Sequence, residues 1–341
     1  MADQKIRVGI VGLGAISFAH EAGYTELPDE CEITAMCDVD QEEVDNRIGM
    51  YAAKGYTRYQ DLVADADVDM VDVIVPHALH YEVALAALQH GKHVLVEKPI
   101  AVNSSQGKEL IEAARQAGVK FSVAENTRFV TAYLAAEKIL QDGLLGDIWT
   151  VRTQIAGSEV GRIKDPNLWH GKAPYGGVIL DSAVHNLYLF KWLFGGVKVV
   201  RGFASKVVPE GEMEDNGLIL GHLCNGAEFQ LYTTCTAEIP WMERLEVYGS
   251  KGGMVIDQLA NPVLRYYFGS GDIDGMTAEE VPFDPLGWKF MSMVAEIKDF
   301  VSAVREDRPP QVDPADALYA VQVVEAIDRS IAMQEVVEVE V

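Results

Sequence analysis

Ile6-Arg7-Val8-Gly9-Ile10-Val11-Gly12-Leu13-Gly14-Ala15-Ile16-Ser17 is the stretch that decides the fold. Its first half is apolar and β-branched, as a strand covered on both faces must be. Its second half is a glycine turn that opens a helix. Gly12 permits the tight turn, and Gly14 lets the backbone approach a pyrophosphate resting on the helix N-terminus, with Ala15 and Ile16 completing the cradle. Ser17 holds the third position, where a glycine would give closer helix-to-strand packing. Asp38 ends the second strand, 24 residues after Gly14. Strand, turn, helix and acid in that order predict a dinucleotide site. The Asp38 carboxylate accepts hydrogen bonds from both ribose hydroxyls and repels a 2′-phosphate. Asp40 adds a second negative charge, and no Arg or Lys follows before Arg47. The expected cofactor is therefore NAD, with NADP disfavoured.

Outward from this turn, the first ~120 residues alternate strand and helix patterns, which predicts βαβ units and a parallel sheet. Further strands are expected over 32–37, 68–75, 92–96 and 120–124, with helices over 81–90 and from Asn103 or Ser104 to a stop at Gly118. From about residue 152 the pattern changes to longer, alternating strands. These are expected over 147–155, 197–208, 216–223, 227–235, 245–249 and 263–267, and they read as a half-buried antiparallel sheet. Two helices, 291–305 and 314–333, close the chain around Pro309-Pro310. The expected division is a nucleotide domain over 1–124 and a second domain over 125–341.

Composition bounds the function. The chain has 341 residues, 49% of them apolar, which fits an enzyme-sized globular protein of roughly two domains. No apolar run reaches the ~18 residues that span a bilayer. The segment Met1-Ala2-Asp3-Gln4-Lys5 leads straight into a strand without a signal pattern, so a cytoplasmic protein is expected. Acidic residues outnumber basic ones by 52 to 28, a net charge of −24, which argues against nucleic-acid and anionic-membrane partners. Cys31, Cys37, Cys224 and Cys235 form no CxxC pair and read as reduced structural thiols.

Two further constellations carry chemistry. Glu97-Lys98-Pro99 ends the apolar run 93–96. Pro99 cannot continue a ladder, and it leaves Lys98 extended at the carboxyl edge of the sheet, where open α/β folds bind ligands. Alone, such a lysine is a surface residue ending a strand; beside a dinucleotide turn it is a candidate catalytic group. In Gly176-Gly177-Val178-Ile179-Leu180-Asp181-Ser182-Ala183-Val184-His185, the glycines approach a helix that places Asp181 and His185 one turn apart on one face. A carboxylate and an imidazole so placed can move a proton, or form a structural hydrogen bond. Neither this pair nor His77-x-x-His80 has further ligands at metal spacing, so no metal is expected.

Taken together, the glycine turn, the segment from Pro76 to His80, Glu97-Lys98-Pro99 and the run from Gly176 to His185 make the chain resemble the Gfo/Idh/MocA oxidoreductases over nearly its whole length. The resemblance implies an α/β Rossmann domain with a parallel sheet, followed by a C-terminal α/β domain with a large open antiparallel sheet that supports a homodimer or homotetramer. It implies that Lys98, Asp181 and His185 are catalytic, and that Glu97 and Pro99 shape the nicotinamide site. Pro76, His77 and His80 would line the cofactor, with Asn126 beside them. It places Arg128 in the substrate pocket, together with Trp169 and His170 as an aromatic wall. Two departures stand out. Val178 replaces a frequent third glycine, and Tyr188 replaces a frequent aspartate, which speaks against an inositol-like pattern of hydroxyl contacts.

The implied activity is NAD-dependent oxidation of a secondary hydroxyl on a sugar, glycoside or cyclitol. His185 would take the hydroxyl proton, Lys98 would stabilise the oxygen, and Asp181 would orient them. Two alternatives share the residues: a hydrolase or lyase that oxidises its sugar transiently, and a non-enzymatic regulator that responds to NAD or sugar.

Overall fold

The computed structural model describes residues 5–268, 277–281 and 290–340; the Met1-to-Gln4 part of the leading segment lies outside them. The chain opens with β1 (Ile6–Val11), α1 (Ser17–Thr25), β2 (Cys31–Cys37), α2 (Gln41–Tyr51), β3 (Lys54–Tyr56), α3 (Tyr59–Val63), β4 (Met70–Val73), α4 (His77–Gln89), β5 (His93–Glu97), α5 (Ser104–Ala117) and β6 (Phe121–Ala124). The six strands form one parallel sheet in the order β3-β2-β1-β4-β5-β6. The order reverses beside β1, and that reversal is where an open α/β sheet has its ligand crevice. Local signals set the helix ends as expected. Asn103 caps α5 by accepting the Gln106 N–H at 3.0 Å, and Gly118 stops it in the left-handed region.

The second half contains α6 (Thr131–Gln141), β7 (Ile148–Ala156), α7 (Val160–Lys164) and α8 (Val184–Phe194), followed by β8 (Val197–Ser205), β9 (Asn216–Leu223), β10 (Glu228–Thr234), β11 (Met242–Gly249), β12 (Gly252–Asp257), β13 (Leu264–Phe268) and β14 (Thr277–Val281). The chain ends with α9 (Phe290–Arg305), α10 (Pro314–Met333) and β15 (Val337–Glu338). The nine strands from β7 onward make one sheet, ordered β14-β13-β12-β11-β7-β10-β9-β8-β15. It is mixed rather than purely antiparallel, because β7 and β10 run parallel at its centre, Thr150 facing Glu228. Hydrophobic alternation reports which face of a strand is buried, not the direction of its neighbour. The glycines at 252 and 253 begin β12.

Chain contacts cluster into two units, residues 1–126 with 290–318, and 127–289 with 319–341. The chain thus returns to the first unit, which a single cut after residue 124 does not provide for. The cause lies in α9: Ile297, Phe300 and Val301 belong to the same buried core as Val8, Ile10, Met36 and Leu95. Among the described residues, no helix is long and apolar enough to cross a membrane.

Candidate active site

The glycine turn has the geometry that a dinucleotide cradle needs. Gly12 adopts φ +97°, and a Cβ there would lie 2.1 Å from the Ile74 carbonyl oxygen, so no larger residue fits. Gly14 and Ala15 are exposed, with open space over Gly14, at the start of α1. Ser17, expected to loosen the packing, instead tightens the turn. It is fully buried, its hydroxyl donates to the Gly14 carbonyl at 2.8 Å, and it accepts from Arg47 at 3.2 Å. The Arg47 guanidinium also donates to the Leu13 carbonyl and pairs with Glu21, so the first cation after Asp38 braces the turn from beneath.

Asp38 is half-exposed at the end of β2. Its Oδ2 accepts the Leu13 N–H at 2.8 Å and its Oδ1 the Asp40 N–H at 3.0 Å. A carboxylate has about four lone-pair positions, so acceptor capacity remains for ribose hydroxyls. Glycine turn, helix N-terminus and fixed carboxylate fit NAD.

Lys98 is half-buried at the carboxyl end of β5, and its peptide bond to Pro99 is cis. The Glu97 Oε2 accepts the Lys98 N–H at 2.9 Å. Burial pushes the Glu97 carboxyl up, but the hydrogen bond from His20 and the charges of His20 and Lys98 bring it down to about 2. His80, expected to line the cofactor, is wholly buried, with Nδ1 2.7 Å from the Pro99 carbonyl and Nε2 2.7 Å from the Val75 carbonyl. It supports the loop behind Lys98. Burial lowers its pKa against the pull of both carbonyls, and a neutral ring donates to only one of them at a time. His77 packs edge-on against His80 at 5.5 Å, following Pro76 at the start of α4. Asn126 is buried and donates to the Ser292 hydroxyl at 2.8 Å.

Beneath this edge lies a buried ionisable cluster that the sequence reading missed. His20, Asp72, Glu97, Glu125 and Glu296 all have at most 9% of their surface exposed. Burial pushes the Glu296 carboxyl well above its ordinary range, and the neighbouring Glu97, Glu125 and Asp72 add to this while His20 opposes it. Its Oε2 finds no hydrogen-bond partner among the described residues. A carboxyl whose folded pKa is raised contributes stability that is intact below its unfolded value of 4.5 and is lost as the pH rises through the folded one. Glu296→Gln removes that dependence. Its melting temperature should match wild type near pH 4 and exceed it increasingly at higher pH, because the wild type loses up to ~1.4 kcal/mol of stability per pH unit until the folded pKa. Melting curves across pH 4–9 check this, and a constant difference would contradict it.

In the second unit, Asp181 lies within a π-helical turn, Ile179–Ala183, that leads into α8. Such turns recur at functional sites, and they shift the register on which the one-face expectation for Asp181 and His185 rested. His185 is half-buried, and its Nδ1 lies 3.2 Å from the Thr127 hydroxyl. Asp181 lines a cavity with Trp169, His170, Glu159 and Glu214. Trp169 and His170 stack at 4.1 Å on this cavity. Glu214 lies against Gly177, where a Cβ would come within 2.2 Å of its carboxyl, and burial raises its pKa. Burial also pushes the Cys235 thiol on this cavity up to about 12.

Arg128 and Tyr188 stand elsewhere. The Arg128 guanidinium covers the Trp192 ring at 3.9 Å and reaches Glu137 at 3.5 Å, while Trp192 donates to Glu137 at 2.7 Å. Tyr188 is buried, 6.5 Å from the Trp192 ring. Both pack around Trp192. Among the described residues, no group of His, Cys, Asp and Glu could hold a metal.

Residues 6–125 match the model of an oxidoreductase family with an NAD-binding Rossmann fold, Gfo/Idh/MocA, and residues 133–255 match the C-terminal domain of the same family. The chain belongs to the Gfo/Idh/MocA oxidoreductases. It is an NAD-dependent oxidoreductase, consistent with Gly12, Gly14 and Asp38 as placed here. A levoglucosan dehydrogenase of Pseudarthrobacter phenanthrenivorans is 23% identical, with 98% of each chain covered. A myo-inositol 2-dehydrogenase of Thermotoga maritima is 25% identical over 98% of this chain and 99% of its own. Among solved structures, a levoglucosan dehydrogenase in complex with NADH and levoglucosan shares the fold, with a TM-score of 0.91 at 23% identity over 99% of this chain and 100% of the other. An NAD binding oxidoreductase from Klebsiella pneumoniae has a TM-score of 0.86 at 26% identity, covering 99% of each chain.

Proposed function

We propose that this oxidoreductase removes a hydride from the carbon bearing a secondary hydroxyl of a sugar, glycoside or cyclitol. The observation that carries the proposal is Lys98. It is fixed at the carboxyl end of β5, on the sheet edge that bears the glycine turn and Asp38. Levoglucosan and myo-inositol, for which two relatives are named, both carry neighbouring secondary hydroxyls, and this supports the substrate class.

NAD, when bound, supplies the hydride acceptor. The Lys98 ammonium donates to the carbinol oxygen as negative charge develops on it. His185 accepts the hydroxyl proton. Asp181 orients the polar groups of the cavity, and Trp169 stacked on His170 offers a flat wall to a sugar ring. Pro76, His77, Pro99 and Asn126 complete the nicotinamide end of the proposed cofactor site. The same proposal makes the working form a cytoplasmic homodimer or homotetramer.

The test is a panel of neutral sugars, anhydrosugars, glycosides and inositols, with NAD reduction followed by nicotinamide absorbance. Reduction with at least one neutral polyol is expected. Bound NAD that is reduced by none of them would overturn the proposal, and product formed without accumulated NADH would favour transient oxidation.

A further inference from the structure

We propose that His20 is a positioning residue: its ring, held between Asp72 and Glu97, fixes the Glu97 carboxylate and through it the backbone of Lys98. The link to catalysis rests on the role given to Lys98 above; the link to its backbone does not.

His20 lies in α1, one turn past the glycine cradle, with no exposed surface. Its Nδ1 is 2.9 Å from Asp72 Oδ2, and its Nε2 is 3.1 Å from Glu97 Oε1. A neutral imidazole donates through one nitrogen only, so two carboxylate partners call for an imidazolium. Burial disfavours that charge, yet the adjoining Asp72 and Glu97 raise its pKa well above the ordinary range.

The groups around it come from every neighbouring element: Tyr24 on α1, Asp72 on β4, Glu97 on β5, Glu125 after β6 and Glu296 on α9. Tyr24 donates to the same Asp72 oxygen at 2.9 Å, which anchors the ring's far side. Glu97 then uses its second oxygen for the Lys98 N–H. The carbonyl of the next residue, Pro99, meets His80, so the lysine is braced on both flanks. A charge-assisted chain therefore runs from the helix that would bear the pyrophosphate to the strand end that bears the lysine. Misplacing a reacting group by an ångström costs about 100-fold in rate, which gives such a brace its value.

Two substitutions separate this role from general stabilisation. The Asn amide nitrogen reaches roughly where Nδ1 stands, and the Gln amide nitrogen where Nε2 stands. His20→Asn therefore keeps the Asp72 bond and loses the Glu97 bond, whereas His20→Gln does the reverse. Each loses one buried bond and the imidazolium charge, so a merely structural role predicts similar damage. Both variants lose the imidazolium charge, so the proposal predicts that His20→Asn loses roughly 10- to 100-fold more kcat than His20→Gln, which alone keeps the Glu97 bond. The KM for NAD should stay unchanged in both. By NMR, the Lys98 amide proton should keep its downfield, exchange-protected resonance in the Gln variant and lose it in the Asn variant. Equal kcat and equal amide behaviour in the two variants would overturn the proposal. A wild-type enzyme inactive on every polyol would instead remove the functional reading, and the amide resonance would still decide the brace. Should the variants not fold, the ring nitrogens of His20 in the wild type decide it. Both protonated at neutral pH is the expected result, and a single neutral tautomer the contrary one.

Discussion

Replacing Lys98 with methionine will lower kcat by roughly 10²- to 10³-fold while leaving the NAD dissociation constant close to wild type. Methionine keeps the apolar stem, so packing at the end of β5 survives and only the donor and its charge are lost. That donor is worth most where charge develops on the substrate oxygen, in a site that excludes water. The Lys98 backbone is pinned by Glu97, whose carboxylate is itself held low in pKa, so the substitution does not release the strand end. NAD affinity should persist because the groups assigned to pyrophosphate and ribose, Gly12, Gly14 and Asp38, belong to the β1 and β2 ends of the sheet. Steady-state kinetics with a panel substrate and a direct NAD titration check both halves. Normal turnover in the variant would remove Lys98 from the mechanism.

Gly12→Ala should damage what Lys98→Met leaves intact, the affinity for NAD. The backbone at Gly12 is left-handed, and its N–H donates to the Cys37 carbonyl at 2.8 Å. An added methyl meets the Ile74 carbonyl at 2.1 Å, and Ile74 is tied by its own N–H to the Val11 carbonyl. The turn can admit the methyl only by breaking the β1–β4 juncture or by rotating the peptide away from the pyrophosphate. Strain of ~1–3 kcal/mol predicts roughly a 10- to 100-fold loss of NAD affinity and a lower melting temperature. Calorimetric titration and a melting curve test this; unchanged affinity would show that the turn does not hold the cofactor.

The first sheet was legible because its signals are local. A glycine turn after an apolar strand, an acid at the end of the next strand and capped helices between them leave few arrangements. The cluster under Lys98 was partly legible. Asp72 stands in a wholly buried strand, and a charge there must be paired. Its partner His20 lies 52 residues away, and only the fold brings them together. The return of α9 was not legible at all, since an apolar stripe shows that a helix is buried without showing against what. Arg128 and Tyr188 show a related limit. Polar and aromatic residues near a motif fit a pocket and a packed neighbour equally well, and Trp192 took both. The mixed second sheet shows the same limit, because strand direction is a property of pairs.

The most direct test of the central claim is isotopic. A polyol that reduces NAD is labelled with deuterium on the carbon bearing the reacting hydroxyl, and a single turnover is run with enzyme in excess. Hydride transfer predicts that the label is recovered on C4 of the reduced nicotinamide and is absent from the carbonyl product. Label retained in the product, or exchanged into solvent, would contradict it.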